Sequence, residues 1–178
     1  MKTVQEEEDF RAFMTSRWPG LLRTAYLLTG GHHHDAEDLA QTTLARVYAK
    51  WHHVRRSDNI DGYVRRIMVH TNTDRFRRSR IREWVTPRIP DTPTPDGAEL
   101  TAERDVLMSA LARLPARQRA AVVLCYFEDM SQTEIAAALG CRLGTAKSQV
   151  SRGLEKLRKD GALIDARRAE AIVQEEAR

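Results

Sequence analysis

A chain of 178 residues can hold one medium-sized core or two small ones, and 29 basic against 25 acidic side chains leave it only mildly cationic, at +4. No apolar run is long enough to cross a bilayer, and the opening MKTVQEEEDF lacks the apolar centre of a signal peptide, so a cytoplasmic protein is expected. Two cysteines, Cys125 and Cys141, form neither a disulfide framework nor a zinc pattern. The distribution of charge says more than its sum: Glu6 to Asp9 is acidic, whereas Arg75 to Arg82 and Arg142 to Lys159 are strongly basic, which suggests a polyanionic partner.

Apolar residues recur at helical spacing along nearly the whole chain, with no convincing strand alternation, so the fold class expected is all-α. Phe10, Phe13 and Met14 open a first helical face, and Pro19-Gly20 is expected to break or kink it. Leu21, Leu22, Ala25, Tyr26 and Leu28 resume the pattern until Gly30-Gly31. Asp35 has the character of an N-cap, with Glu37 and Asp38 favouring the positive end of the helix dipole. Ala40, Leu44, Val47, Tyr48 and Trp51 then share one face. After a polar loop from His52 to Asn59, a further helix begins near Asp61. It turns Val64, Ile67, Met68 and Thr71 inward and runs out into the arginine cluster.

The stretch WVTPRIPDTPTPDG, Trp84 to Gly97, holds four prolines and reads as an extended linker. The expected organisation is two small helical domains, residues 1–83 and 99–159, joined by the Pro-rich linker 84–98 and followed by a tail, 160–178, of no assigned role. An extended linker implies units that touch little in the free protein. In the second unit, Val106, Leu107, Ala110, Leu111 and Leu114 form one helical face. Pro115 then opens a helix that carries Val123, Leu124 and Phe127.

Ser131 followed by Glu134 fits a capping box, Gly140 suits a left-handed helix end, and Thr145 is placed to cap a second helix. Ile135, Ala138 and Leu139 face inward on one helix, Ala146, Val150, Leu154 and Leu157 on the next. Lys147, Ser148, Gln149, Ser151 and Arg152 are left outward. Short polar and long basic side chains on one helix face are what a major groove accepts, with the first helix bracing the backbone. A merely solvated hairpin is the bland alternative, but cap, glycine turn and basic face coincide at the spacing of a DNA-binding helix-turn-helix.

QTEIAAALGCRLGTAKSQVSRGLEKLR resembles region four of the extracytoplasmic-function sigma factors of bacterial RNA polymerase. DAEDLAQTTLARVYAKW resembles the part of their region two that binds core polymerase, and DGYVRRIMVHTNTDRFRRSR the part that opens and reads the promoter's minus-ten element. LTGGHHHDAEDLAQ is similar to an actinobacterial subgroup. The resemblance spans about Phe10 to Arg158. It implies a promoter-specificity subunit that starts transcription with core polymerase and promoter DNA as partners, and an anti-sigma factor as a partner of many family members. On it, Glu37, Asp38, Gln41, Thr42 and Arg46 are the core-polymerase candidates. Asn59, Tyr63, Arg65, Arg66, His70, Asn72, Arg75, Arg77 and Arg78 are the minus-ten candidates. Arg142, Thr145, Lys147, Ser148, Gln149, Ser151 and Arg152 are the minus-thirty-five candidates. The chain departs from the family's usual pattern in having His70 where an asparagine is common and Gln149 where an arginine is common.

The other reading is a freestanding helix-turn-helix regulator whose N-terminal helices serve as an interaction module. The basic helix in that N-terminal unit argues against it. Histidines 32–34, 52 and 53 have no second ligand cluster at a metal-binding spacing. No nucleophile–base set or phosphate-cradling glycine loop is present, so neither enzymatic activity nor a cofactor is expected.

Overall fold

The computed structural model describes residues 4–83 and 102–165, with side chains over 4–75 and 104–165. The linker assigned to 84–98 and the end of the tail fall outside them, as do the side chains of Arg77 and Arg78. Every regular element among the described residues is a helix: α1 Val4–Thr29, α2 His33–Ala49, α3 Trp51–Val54, α4 Ile60–Glu83, α5 Ala102–Arg113, α6 Ala116–Tyr126, α7 Gln132–Leu139 and α8 Leu143–Arg158. None is long and apolar enough to cross a membrane.

Helix α1 does not break at Pro19. A proline inside a helix removes one hydrogen bond and costs about 3 kcal/mol. Apolar contacts on both sides of it hold the helix to the same neighbours. Before it, Phe10 and Phe13 pack on Trp51 with ring centroids 5.2 and 5.0 Å apart, and Phe10 also meets Tyr48 at 4.8 Å. After it, Leu21, Ala25 and Leu28 enter the core shared with Leu39, Leu44, Val47, Val64 and Met68. The acidic N-terminus is likewise more than solvated charge. Glu6 is buried, with Oε1 2.8 Å from His52 Nδ1 and 3.2 Å from Arg55 Nη2, and Arg55 also holds Asp9.

Two helix starts differ from expectation. His32, not Asp35, stands at the N-cap of α2, with no side-chain cap, and Asp35 lies in the first turn. Arg142, not Thr145, occupies that position for α8. Neither helix needs a polar cap to fix its start, because buried Ala36 and Ala146 anchor the first turns. The capping box of α7 forms as expected: Ser131 Oγ accepts from Glu134 N, and Glu134 Oε2 accepts from Ser131 N at 2.8 Å. Gly140 ends α7 at φ 61°, ψ 43°. Phe127, placed on the helix that Pro115 opens, is the C-cap of α6 and is exposed.

The largest difference concerns the two units. They pack on each other: α7 lies against α4, α6 against α1 and α4, and α5 against α1. The buried residues of both units form one continuous hydrophobic cluster. The docking is decided by complementary apolar faces on the two units, which the composition of the segment between them does not reveal.

Candidate nucleic-acid interface

Helix α8 is built to present one polar side. Ala146, Val150 and Gly153 are buried beneath it. At Gly153 a Cβ would sit 2.6 Å from Val122 Cγ2 and 3.3 Å from the Gln118 carbonyl oxygen, so glycine lets α6 and α8 approach closely. On the opposite side Lys147, Ser151 and Arg152 are exposed, as is Arg142 at the helix start, while Thr145, Ser148 and Gln149 are half-buried. Ser148 Oγ donates to the Thr145 carbonyl at 2.8 Å and is occupied by its own helix. The readily available donors are therefore Arg142, Lys147 and Arg152, with Ser151 between them.

Helix α4 carries the second basic surface. Asn59 caps it by accepting from the Gly62 amide at 2.7 Å, and Gly62 leaves room for that cap. Arg66 and His70 are exposed, and Tyr63 is half-buried. Arg65 and Arg75 are held in ion pairs. Arg65 Nε donates to Glu128 of the second unit at 2.5 Å. Arg75 donates to Asp35 at 2.7 Å and to Asp38 at 2.5 Å, both on α2. Asn72 is 4% exposed and lies inside the fold. Val69 and Thr71 beside it are buried as well, so Asn72 is the least accessible of the minus-ten candidates whose side chains are described.

Helix α2 supplies a third surface. Ala36, Leu39, Ala40, Thr43, Leu44 and Val47 are buried, which leaves Glu37, Asp38, Gln41 and Arg46 exposed and Thr42 half-buried. Two of these are already engaged. Asp38 holds Arg75, and Arg46 reaches back to Thr71 Oγ1 at 3.0 Å and Asp74 at 3.6 Å. Glu37 and Gln41 form the most accessible part.

Residues 8–81 match the model of sigma-70 region 2, and residues 104–157 match sigma-70 region 4. The RNA polymerase sigma-E factor of Streptomyces coelicolor is 40% identical over 152 residues, covering 85% of each chain. The extracytoplasmic-function sigma factor SigE of Mycolicibacterium smegmatis is 40% identical over 146 residues, 76% of this chain and 55% of that one. The chain belongs to the extracytoplasmic-function sigma factors. A solved complex of the sigma factor RpoE with the anti-sigma factor NepR from Bartonella quintana matches with a TM-score of 0.73 at 27% identity, over 85% of this chain and 96% of that one.

Within this sigma factor, sequence reasoning missed Arg119, Glu128 and Thr24. Arg119 is 4% exposed, and its Nε donates to the Leu28 carbonyl at 2.8 Å. Burial lowers its pKa to about 10. An arginine on a helix ordinarily reads as solvated. Its position between Pro115 and an unbroken apolar run, Ala120 to Leu124, was the available signal. The Cys125 thiol is raised by burial and then by Asp129, which disfavours the reactive thiolate. No cluster of three or more metal-ligating side chains is found among the described residues.

Proposed function

We propose that this sigma factor binds core RNA polymerase through α2, reads the minus-thirty-five element with α8 and engages the minus-ten element with α4. The observation that carries the reading is the outward polar side of α8, with Lys147 and Arg152 exposed over buried Ala146, Val150 and Gly153. Arg152 has the planar fork that binds guanine at two points, and Lys147 is a compact charge suited to phosphate. Arg142 sits where the helix start meets the backbone. On α4, Arg66, His70 and Tyr63 are the accessible candidates for the minus-ten strand, with Arg65 available once Glu128 is displaced. The domain assignment follows: residues 1–83 for polymerase and minus-ten binding, 84–98 as linker and 99–159 for minus-thirty-five binding. The protein acts by recognition, without catalysis of its own, in the cytoplasm where polymerase works.

The test is transcription in vitro with purified core polymerase. The chain should yield transcripts from a promoter that core alone does not use. A double substitution, Glu37→Arg with Gln41→Arg, should abolish co-purification with core and leave the helical fold intact. Binding to promoter DNA with no dependence on core would favour the freestanding regulator instead.

A further inference from the structure

A crevice of about 220 Å³ lies between α1 and the first turns of α4, and Glu128 lines it from the turn after α6. No residue of α2 or α8 lines it, so it is separate from the surfaces offered to polymerase and to the minus-thirty-five element. Its floor is apolar: Leu21, Val64 and Met68 are buried, and Phe13 is half-buried. Its rim is charged. Arg17, Arg23 and Arg65 stand against Asp61 and Glu128, which leaves one positive charge in surplus. Arg17 is paired with Asp61 at 3.1 Å and Arg65 with Glu128 at 2.5 Å. Arg23 is exposed and enters no ion pair among the described residues.

Gly20 also lines the crevice, and neither packing nor backbone explains it. It lies inside α1, where glycine weakens a helix relative to alanine. Its φ is not positive. At Gly153 an added Cβ would press on Val122, whereas at Gly20 it would meet no atom within 4 Å. What the missing side chain leaves is open space on the crevice wall, beside Leu21 and Thr24.

We propose that this crevice is a binding site for a small aromatic monocarboxylate. One surplus guanidinium matches one carboxylate, in a charge-assisted hydrogen bond. The carboxylate is held by Arg23. Arg17 joins it by exchanging Asp61, since that pair is exposed on both sides and solvent screens it. The apolar floor takes the body of the ligand, and the Met68 thioether, the Phe13 ring and the guanidinium planes favour a flat ring there. Pockets for drug-sized ligands measure roughly 300–1,000 Å³, so this smaller one suits a single ring and excludes a peptide helix. The site stands on its own geometry, and only its effect rests on the sigma-factor reading. Asp61 and Arg65 lie in the first two turns of α4, and Arg65 is a minus-ten candidate. A ligand beside them therefore lowers engagement of the minus-ten strand.

Titration of the full chain with benzoate, followed by the methyl resonance of Met68, tests the site. The resonance should shift with a Kd of about 1 mM, in keeping with so few ligand atoms. Benzamide, which lacks the charge, and acetate, which lacks the ring, should each bind at least about tenfold more weakly, as should benzoate to Arg23→Gln. Gly20→Leu fills the space and should abolish the shift. Its helices should persist by circular dichroism, because leucine is the better helix former. An unmoved Met68 methyl, equal binding of benzamide, or an equal shift in Gly20→Leu would overturn the proposal. The effect is tested in transcription with core polymerase. Saturating benzoate should lower transcripts from the wild type about fivefold and leave those from Gly20→Leu unchanged. An equal response of both chains would overturn the effect. Failure of the sigma reading would show separately, as absent core-dependent transcripts without any benzoate while the Met68 shift remains.

Discussion

Helix α8 displays Lys147 and Arg152 to solvent, in no ion pair among the described residues, whereas α4 turns Arg65 onto Glu128 and Arg75 onto Asp35 and Asp38. Both helices are basic in sequence. The difference lies in the carboxylates the fold brings opposite them. The only acidic residue on α8, Glu155, is engaged by Lys159 at 2.6 Å, one turn away along its own helix. Helix α4 faces the acidic first turn of α2 and the loop that carries Glu128. A count of arginines therefore measures potential DNA affinity, and the tertiary pairing decides how much of it the free chain can use.

The comparison breaks first at Arg152. Arg152→Ala should cost about 1–3 kcal/mol of discrimination at one or two upstream base pairs. Lys147→Ala should instead weaken all sequences alike and reduce the salt slope by about one ion. Titrations on a promoter and its single-base variants, at several salt concentrations, separate the two. If both variants behaved alike, α8 would be a phosphate clamp and not a reader.

Gly153→Ala comes next. Its Cβ would meet Val122 and the Gln118 carbonyl oxygen, and overpacking of this kind costs about 1–3 kcal/mol. Urea unfolding should report the loss while every side chain on the polar side of α8 stays unchanged. Tolerance of alanine would mean that α6 and α8 can slide apart without harm.

A smaller effect is expected at the cap of α7, where Ser131→Ala should cost about 1 kcal/mol. The Glu134 carboxyl lies below its ordinary 4.5, first because the Ser131 hydroxyl bonds to it and then because the Ser131 amide does. A depressed carboxyl stabilises the fold above its unfolded value and loses that contribution as pH falls through its folded value. The stability gap between the wild type and Glu134→Gln should therefore close below about pH 4.5, the unfolded value. A gap independent of pH would assign the cap to the serine alone.

Arg75→Gln is expected to change stability least, by at most about 1 kcal/mol, because its partners Asp35 and Asp38 are partly or largely exposed and solvent screens both pairs. Its use is to sharpen the contrast with α8. Freed from Arg75, Asp38 should contact core polymerase at least as well as before, and weaker co-purification would show that the pair orders the docking surface.

What could be read from the sequence was local. The capping box at Ser131 and Glu134, the turn at Gly140 and the inward face of α8 depend on residues a few positions apart, and the structure holds them as expected. Pro19 misled because the missing hydrogen bond is visible in sequence, while the aromatic packing of Phe10 and Phe13 on Trp51 that overrides it is not. The burial of Asn72 was not legible either, because a polar residue beside an arginine cluster reads as surface until its neighbours in space are known. The packing of the two units was illegible for the same reason on a larger scale. Arg119 meets a carbonyl 91 residues earlier, and Glu128 meets Thr24 from 104 residues away. Nothing in periodicity or spacing pairs positions so distant. The candidate residues carried over by family resemblance lie on α2, α4 and α8 or at the starts of α4 and α8, and long-range contacts decide which of them the fold leaves accessible.

The buried Glu6 gives the N-terminus a reach beyond its own helix. Together with Asp9 it anchors Arg55, and His52 binds Glu6 from the start of the same segment. That segment ends at Asn59, which starts α4 by accepting from Gly62. A truncation past Asp9, or a fusion that disturbs the first turn of α1, would thus slacken the approach to α4 without removing any candidate DNA-contacting residue. Backbone order parameters from Arg56 to Asn59 would fall in such a variant, and a loss of promoter opening measured with it would report a tether and not a missing contact.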